Sequence, residues 1–183
     1  MKKKRILLHI CCGPCAIYPI QILKQEGFEI LGLYYNPNIH PLKEYLKRKQ
    51  ALQTVSKEYN IKVIYKDDEY NPINYFREVI YRENNRCFYC YHMRIEKTIS
   101  IARRGKFDYF TTTLLYSKFQ KHDTISTLCK DLSRNKGVKF YYHDFREGWK
   151  IGIEESKNLG IYRQQYCGCI FSEFERYKNE LKT

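Results

Sequence analysis

Short runs crowded with β-branched, aromatic and leucine side chains recur along the chain at residues 5–10, 29–35, 62–65, 107–112 and 138–142. Each is preceded within two residues by Lys4, Gly27, Asn60, Gly105 or Gly137, and each is too short to be a buried helix. They read as strands. Between them, residues 16–26, 42–59, 74–83, 92–104, 123–134 and 152–159 place apolar side chains at helical spacing. Gly27 and Gly160 stand where helix C-caps are expected, and Gly105 and Gly137 likewise sit just ahead of strands. This alternation predicts an α/β fold, a doubly wound and mainly parallel sheet of about five strands with right-handed crossovers. No internal repeat, low-complexity segment or linker interrupts it, so one domain over residues 1–183 is expected. Residues 173–183 read as a charged, mostly solvated terminal helix.

In such folds a ligand sits beyond the carboxyl ends of the strands, at the switch in strand order. Cys11, Cys12 and Cys15 follow the first strand at that edge, and Thr111, Thr112 and Thr113 end the fourth. Asn36-Pro37-Asn38 follows the second strand as a polar turn.

Composition narrows the class. With 183 residues the chain can bury a full core, and 43% hydrophobic content with only 9 Gly and 5 Pro excludes a disordered chain or a fibre. Thirty-three basic against 20 acidic residues leave a net charge of +13, which favours a polyanion, nucleic acid first. The apolar run after the basic start ends within five residues at Cys11-Cys12-Gly13-Pro14-Cys15, without the features of a secretory signal. No stretch reaches the length of a membrane span. A cytoplasmic protein without membrane partners is expected, and in that compartment clustered cysteines serve metal or redox chemistry rather than structural disulfides.

Seven of the eight cysteines form three groups: Cys11, Cys12 and Cys15; Cys87 and Cys90; Cys167 and Cys169. Cys129 stands apart in a helical pattern and reads as a small buried hydrophobe. Three chemistries compete for the seven. A structural zinc site uses four thiolates, commonly as paired Cys-x-x-Cys knuckles, and leaves three over. A dithiol oxidoreductase uses one Cys-x-x-Cys at a helix start, as in Cys12-Gly13-Pro14-Cys15, and leaves most of the others idle. An iron–sulfur cluster takes four and leaves three for redox chemistry or a second metal.

Five ordered blocks carry a closer likeness: Leu8-His9-Ile10-Cys11-Cys12-Gly13-Pro14-Cys15; Tyr34-Tyr35-Asn36-Pro37-Asn38-Ile39 with Glu44, Tyr45 and Arg48; Arg86-Cys87-Phe88-Tyr89-Cys90-Tyr91 with Arg94; Phe107-Asp108-Tyr109-Phe110-Thr111-Thr112-Thr113-Leu114; and Leu159-Gly160-Ile161-Tyr162-Arg163-Gln164-Gln165-Tyr166-Cys167-Gly168-Cys169. With all seven thiols in register, the chain resembles the QueH-type epoxyqueuosine reductases. Gly13 stands where alanine is commoner in that family, a change expected only to loosen the turn.

The resemblance implies a Rossmann-like (HUP-like) fold carrying a [4Fe–4S] cluster and a second redox centre. Carried onto this chain, the cluster ligands are Cys11, Cys12, Cys87 and Cys90. Cys167 and Cys169 are then the redox-active pair, either as a disulfide or holding a mononuclear iron with Cys15. Some relatives carry Asp at the position of Cys15, which suits a metal ligand better than a disulfide partner. The implied reaction removes the epoxide oxygen of epoxyqueuosine at the wobble position of tRNA, the last step of queuosine synthesis, with electrons from a small carrier protein. Neither a dinucleotide fingerprint nor a Walker sequence is present, so no NAD(P) or ATP site is expected.

Around the thiols, Tyr162 and Tyr166 read either as proton donors to the opening epoxide or as packing aromatics, and Arg163 either as a phosphate partner or as part of a solvated turn. His9 reads either as a satisfied core histidine or as a support for the cluster ligands. Residues 116–123 read as a basic, tRNA-facing loop. Glu44, Arg48, Arg86 and Arg94 read as charges near the substrate or as salt bridges holding the cluster loops. Two other classes fit part of the pattern. PP-loop tRNA-thiolating enzymes require a Ser-Gly-Gly-x-Asp-Ser-like loop where this chain has Cys-Cys-Gly-Pro-Cys, and a zinc-stabilised RNA-binding module leaves the third thiol group unused.

Overall fold

A computed structural model describes residues 3–134 and 136–182. In chain order these form β1 (Arg5–His9), α1 (Gly13–Gln25), β2 (Glu29–Tyr34), α2 (Leu42–Glu58), β3 (Lys62–Tyr65), α3 (Pro72–Val79), α4 (Arg86–Arg104), β4 (Tyr109–Thr112), α5 (His122–Ser133), β5 (Lys139–Phe140), α6 (Trp149–Asn158) and α7 (Ile170–Tyr177). All strand pairings are parallel, in the order β3-β2-β1-β4-β5. The α/β, doubly wound expectation holds.

Helices cover both faces of the sheet, so the central strand is apolar along nearly its whole length instead of alternating. In β1, Ile6, Leu7, Leu8 and His9 are all fully buried. Alternate residues feed two core layers. Leu7 joins Leu33, Ile95, Ile99, Phe110, Leu114 and Ile125 on the face covered by α4 and α5. Ile6 and Leu8 join Ile17, Ile20, Leu52 and Val55 on the face covered by α1 and α2. Cys129 lies in the first layer, fully buried, as its helical position predicts. No helix is long and apolar enough to cross a membrane among the described residues.

Several boundaries differ from the sequence reading: α3 spans Pro72–Val79 rather than 74–83, α6 begins at Trp149 rather than residue 152, and β4 begins at Tyr109 rather than residue 107. Helix α1 starts at Gly13 rather than residue 16, because Pro14 in its first turn has a fixed φ already suited to a helix and lacks only an N–H that would go unbonded there. Helix α4 starts at Arg86, a turn and a half before residue 92, so Cys87 and Cys90 stand in a helix and not in a loop. The aromatic Phe88-Tyr89 and Tyr91 hide the helical register there. Strand β5 is only Lys139–Phe140 instead of 138–142, being an edge strand with β4 as its one neighbour. Helix α7 starts at Ile170, ahead of residue 173, and continues as a 3-10 turn at Lys178–Lys182 with no buried residue, which agrees with a solvated terminus; Thr183 lies outside the described residues.

Gly13 does more than shape a turn. A Cβ there would lie 2.7 Å from the backbone carbonyl carbon of Ala51 and 2.8 Å from its oxygen, so the missing side chain lets α1 meet the α2 backbone directly. Gly13→Ala is expected to destabilise the fold by about 1–3 kcal/mol, because backbone cannot yield as a side chain can. Thermal melting reads this as a fall of roughly 3–10 °C. An unchanged midpoint would show that the helices separate without cost.

Candidate functional site

The strand order reverses between β1 and β4, which places the ligand crevice beyond their carboxyl ends. The register pairs His9 with Thr112, so the residues that follow each strand face one another. Cys11 and Thr113 meet there. The Cys11 backbone N–H donates to Thr113 Oγ1 at 3.0 Å, and that hydroxyl donates to Cys11 Sγ at 3.2 Å. Cys12 is the N-cap of α1 and Cys15 lies in its first turn. The sulfurs of Cys11, Cys12 and Cys15 all lie within 4.8 Å of one another, with Cys11 and Cys12 3.8 Å apart.

Three thiols this close cannot all behave alike. Hydrogen bonds from Cys12 and Cys15 hold the Cys11 thiol well below the usual thiol range, despite its burial. Burial pushes Cys12 up, and its bond to Cys11 pushes it further. Cys15 is pushed up by its bonds to Cys11 and Cys12, then by burial. One thiolate forms first and its neighbours solvate it. Soft, mutually close sulfur donors of this kind have the chemistry and spacing of a metal site.

Helix α4 brings the second thiol group. Cys87 packs against the core layer that contains Cys12 and Cys15, whereas buried Cys90 shares a smaller apolar cluster with Cys169, Tyr75 and Val79. Burial pushes the Cys90 thiol up to about 12, against the pull of Arg94. One helical turn on, Arg94 is 3% exposed, and its Nη2 donates to Cys90 Sγ at 2.9 Å while Nε donates to the Cys90 carbonyl at 2.9 Å. Its charge also acts on Cys11 and Cys167. No carboxylate pairs with it among the described residues; its guanidinium bonds instead to the sulfur and carbonyl of Cys90.

The third group sits on the turn that leads into α7. Gly168 adopts φ +144°, a backbone geometry that favours glycine, and a Cβ there would meet Arg48 Nη1 at 3.1 Å. Arg48, 2% exposed, clamps this turn. Its Nη1 donates to the Cys167 carbonyl at 2.8 Å and its Nη2 to the Tyr166 carbonyl at 3.0 Å. Its Nε donates to Glu44 Oε1 at 2.7 Å, one turn earlier on α2. Ser172 ties the other side, donating to the Cys169 carbonyl and accepting from the Gly168 N–H. Cys167 is the exposed thiol of the seven.

Two glutamines reach the sulfurs. Gln164 Nε2 donates to Cys12 Sγ at 3.0 Å and to Cys15 Sγ at 3.4 Å, joining the last turn to the first thiol group. Gln120 Nε2 donates to Cys167 Sγ at 3.1 Å, and its Oε1 accepts from the Tyr91 hydroxyl at 2.8 Å. Neither contact has a signal in the sequence. For Arg48 and Arg94 a signal exists: each stands four residues after a partner, Glu44 or Cys90, on the same helix face.

The remaining expected residues take definite places. Tyr162 donates to Glu44 Oε2 at 2.6 Å and Tyr166 donates to the His40 carbonyl at 2.6 Å, so both hydroxyls brace the turn rather than point a free proton at the thiols. Burial pushes both phenols up from their ordinary range, consistent with protonated braces. Arg163 is exposed. His9 is a satisfied core histidine, with Nδ1 2.8 Å from Thr112 Oγ1 and Nε2 3.3 Å from the Tyr35 carbonyl, and burial lowers it to about 4. Asn36 Nδ2 donates to the Ile10 carbonyl, while the Oδ1 atoms of Asn36 and Asn38 are buried without a partner. Arg86 forms the anticipated kind of salt bridge, with Glu175.

Residues 6–175 match the family described as epoxyqueuosine reductase QueH. The chain is 35% identical over 173 residues to the epoxyqueuosine reductase QueH of Dehalococcoides mccartyi, covering 94% of each chain. It is 35% identical over 179 residues to the protein of that name from Thermotoga maritima, covering 93% of this chain and 91% of the relative. The Streptococcus pyogenes protein of that name is 34% identical over 178 residues, covering 91% of this chain and 69% of the relative. The thiols gathered at the switch point and this breadth of similarity agree: the chain is an oxidoreductase that belongs to the QueH family of epoxyqueuosine reductases.

Proposed function

We propose that the protein reduces epoxyqueuosine at the wobble position of tRNA to queuosine in the cytoplasm, with a [4Fe–4S] cluster on Cys11, Cys12, Cys87 and Cys90. Cys15, Cys167 and Cys169 form the second centre, preferably around a mononuclear iron and otherwise as a Cys167–Cys169 disulfide. The observation that supports this reading is the gathering of thiol groups from the end of β1, from α4 and from the last turn near the β1–β4 switch point. The chain's own residues offer soft donors for metal: Cys11, Cys12 and Cys15 lie within 4.8 Å of one another, a set that the proposed assignment divides between neighbouring centres, and buried Arg94 donates to the Cys90 sulfur.

The reaction takes two electrons and two protons, turns the epoxide into an alkene, and releases water. When bound, the cluster supplies electrons singly and the second centre accommodates the other one. The protein's part is electrostatic and positional. Arg94 offsets the negative charge of bound thiolates, and its Nε and Nη2 bonds to Cys90 orient it. Gln164 and Gln120 hold sulfurs in place by donating to them. Arg48 fixes the peptide that carries Cys167. Arg163, exposed beside this turn, pairs with a substrate phosphate. A small electron-carrier protein delivers the electrons.

Anaerobic incubation of iron-loaded, reduced protein with epoxyqueuosine-containing tRNA, followed by nucleoside mass analysis, tests the reading. Loss of one oxygen atom from the modified nucleoside is expected, together with iron and acid-labile sulfide in the protein. Zinc alone with no turnover would favour an RNA-binding module instead.

A further inference from the structure

Between β4 and α5 the chain presents Lys118-Phe119-Gln120-Lys121 beside the exposed Cys167 thiol. Gln120 turns inward and is pinned between Tyr91 and the sulfur of Cys167. Phe119, its neighbour, turns outward and is 84% exposed. It meets Trp149 in a T-shaped contact, with centroids 5.6 Å apart and planes at 75°, and at this exposure most of the ring stays open to solvent. The loop beneath it is fixed: the Phe119 N–H donates to Ser117 Oγ, the Gln120 N–H to the Ser117 carbonyl, and the Lys121 N–H to the Tyr91 hydroxyl. Lys118 and Lys121 have no acidic partner among the described residues.

An apolar ring held rigidly in water forgoes burial, and two unpaired cations beside it repel each other. Both costs vanish when a base covers the ring and phosphates meet the ammonium groups. Single-stranded loops are the RNA elements whose bases are free to stack on an aromatic side chain. A base entering the crevice must leave its stack, so its neighbour in the strand loses a stacking partner that the protein can replace.

We propose that Phe119 is the platform for the nucleotide adjacent to the reacting one in the anticodon loop, with Lys118 and Lys121 neutralising the flanking phosphates. This rests on the tRNA reading above and adds a substrate-contacting residue to it. The platform is sequence-tolerant, since every base offers a π-face, and it accepts single-stranded loops but not a continuous duplex.

Binding of epoxyqueuosine-containing tRNA to the iron-loaded protein tests the proposal. Phe119→Ala is expected to weaken affinity about tenfold or more, and Phe119→Trp to restore it, with iron content and circular dichroism as in the wild type. Replacing Lys118 and Lys121 together with Ala should reduce the slope of log affinity against log salt by about 0.7 for each lysine, the single-strand value. Wild-type affinity in Phe119→Ala, or a Trp variant as weak as the Ala variant, would overturn the platform while leaving the reductase reading intact. Failure of the wild type itself to bind this tRNA would overturn both.

Discussion

Changing Cys167 and Cys169 together to serine is expected to leave cluster iron and sulfide near the wild-type level and to cut turnover below about 1%. Serine keeps the shape of the turn, because what holds it is backbone. Arg48 donates to the Cys167 and Tyr166 carbonyls, and Ser172 to the Cys169 carbonyl. Gln120 retains an oxygen to donate to where the Cys167 sulfur stood. What the change removes is the redox capacity and the soft donors of the proposed second centre. The contrasting variant is Cys87→Ser, which should lose iron and sulfide if, as proposed, the group it removes is a cluster ligand. Quantifying iron, sulfide and the nucleoside product on the same preparations checks both. Wild-type turnover in the double variant would take Cys167 and Cys169 out of the chemistry, and full iron in Cys87→Ser would overturn the ligand assignment.

Arg48→Met is expected to be the most damaging single change outside the cysteines. Arg48 is buried and bonded to Glu44 and to two carbonyls of the thiol turn. Methionine leaves a buried carboxylate without its cation and two carbonyls without donors. Removing one partner of a buried pair costs about 3–5 kcal/mol, which for a chain of this size lowers the melting temperature by on the order of 10 °C. Activity should fall further than stability explains, since the Cys167 peptide loses its anchor. Removing Glu44 as well, as Glu44→Leu with Arg48→Met, should recover part of the stability, because the stranded charge goes too. It should not recover activity, because the two carbonyls stay unbonded. A melting temperature within about 2 °C of wild type in Arg48→Met would show that the pair carries no such load.

Legibility in the sequence followed distance along the chain. The strand at Lys62–Tyr65 and the helix at Leu42–Glu58 emerge almost to the residue, because their apolar spacing is a local property. The starts of α1 and α4 were hidden for local reasons too: a glycine and a proline that open a helix look like a turn, and Cys-Phe-Tyr-Cys-Tyr masks a helical stripe. The resemblance identified the thiols, yet it did not assign work to Gln120 or Gln164, whose amides contact Cys167, Cys12 and Cys15. The positions of Tyr162 and Tyr166 beside Cys167 suggested either proton donation or packing, and their hydroxyls are engaged by Glu44 and the His40 carbonyl.

By itself the sequence determined the alternation of strand and helix, the parallel sheet that this alternation requires, the positive charge, and the three thiol groups at loop and helix starts. Those are consequences of side-chain type and near-neighbour spacing. Tertiary structure alone decided which thiols touch, which glutamine amides reach sulfur, and which aromatic ring stays in water. Thr113 meets Cys11 across 102 residues, Arg48 meets Cys167 across 119, and Gln164 meets Cys12 across 152. Pairings that distant leave no periodic trace, because they exist only once β1 and β4 lie side by side and the last turn folds back over their ends.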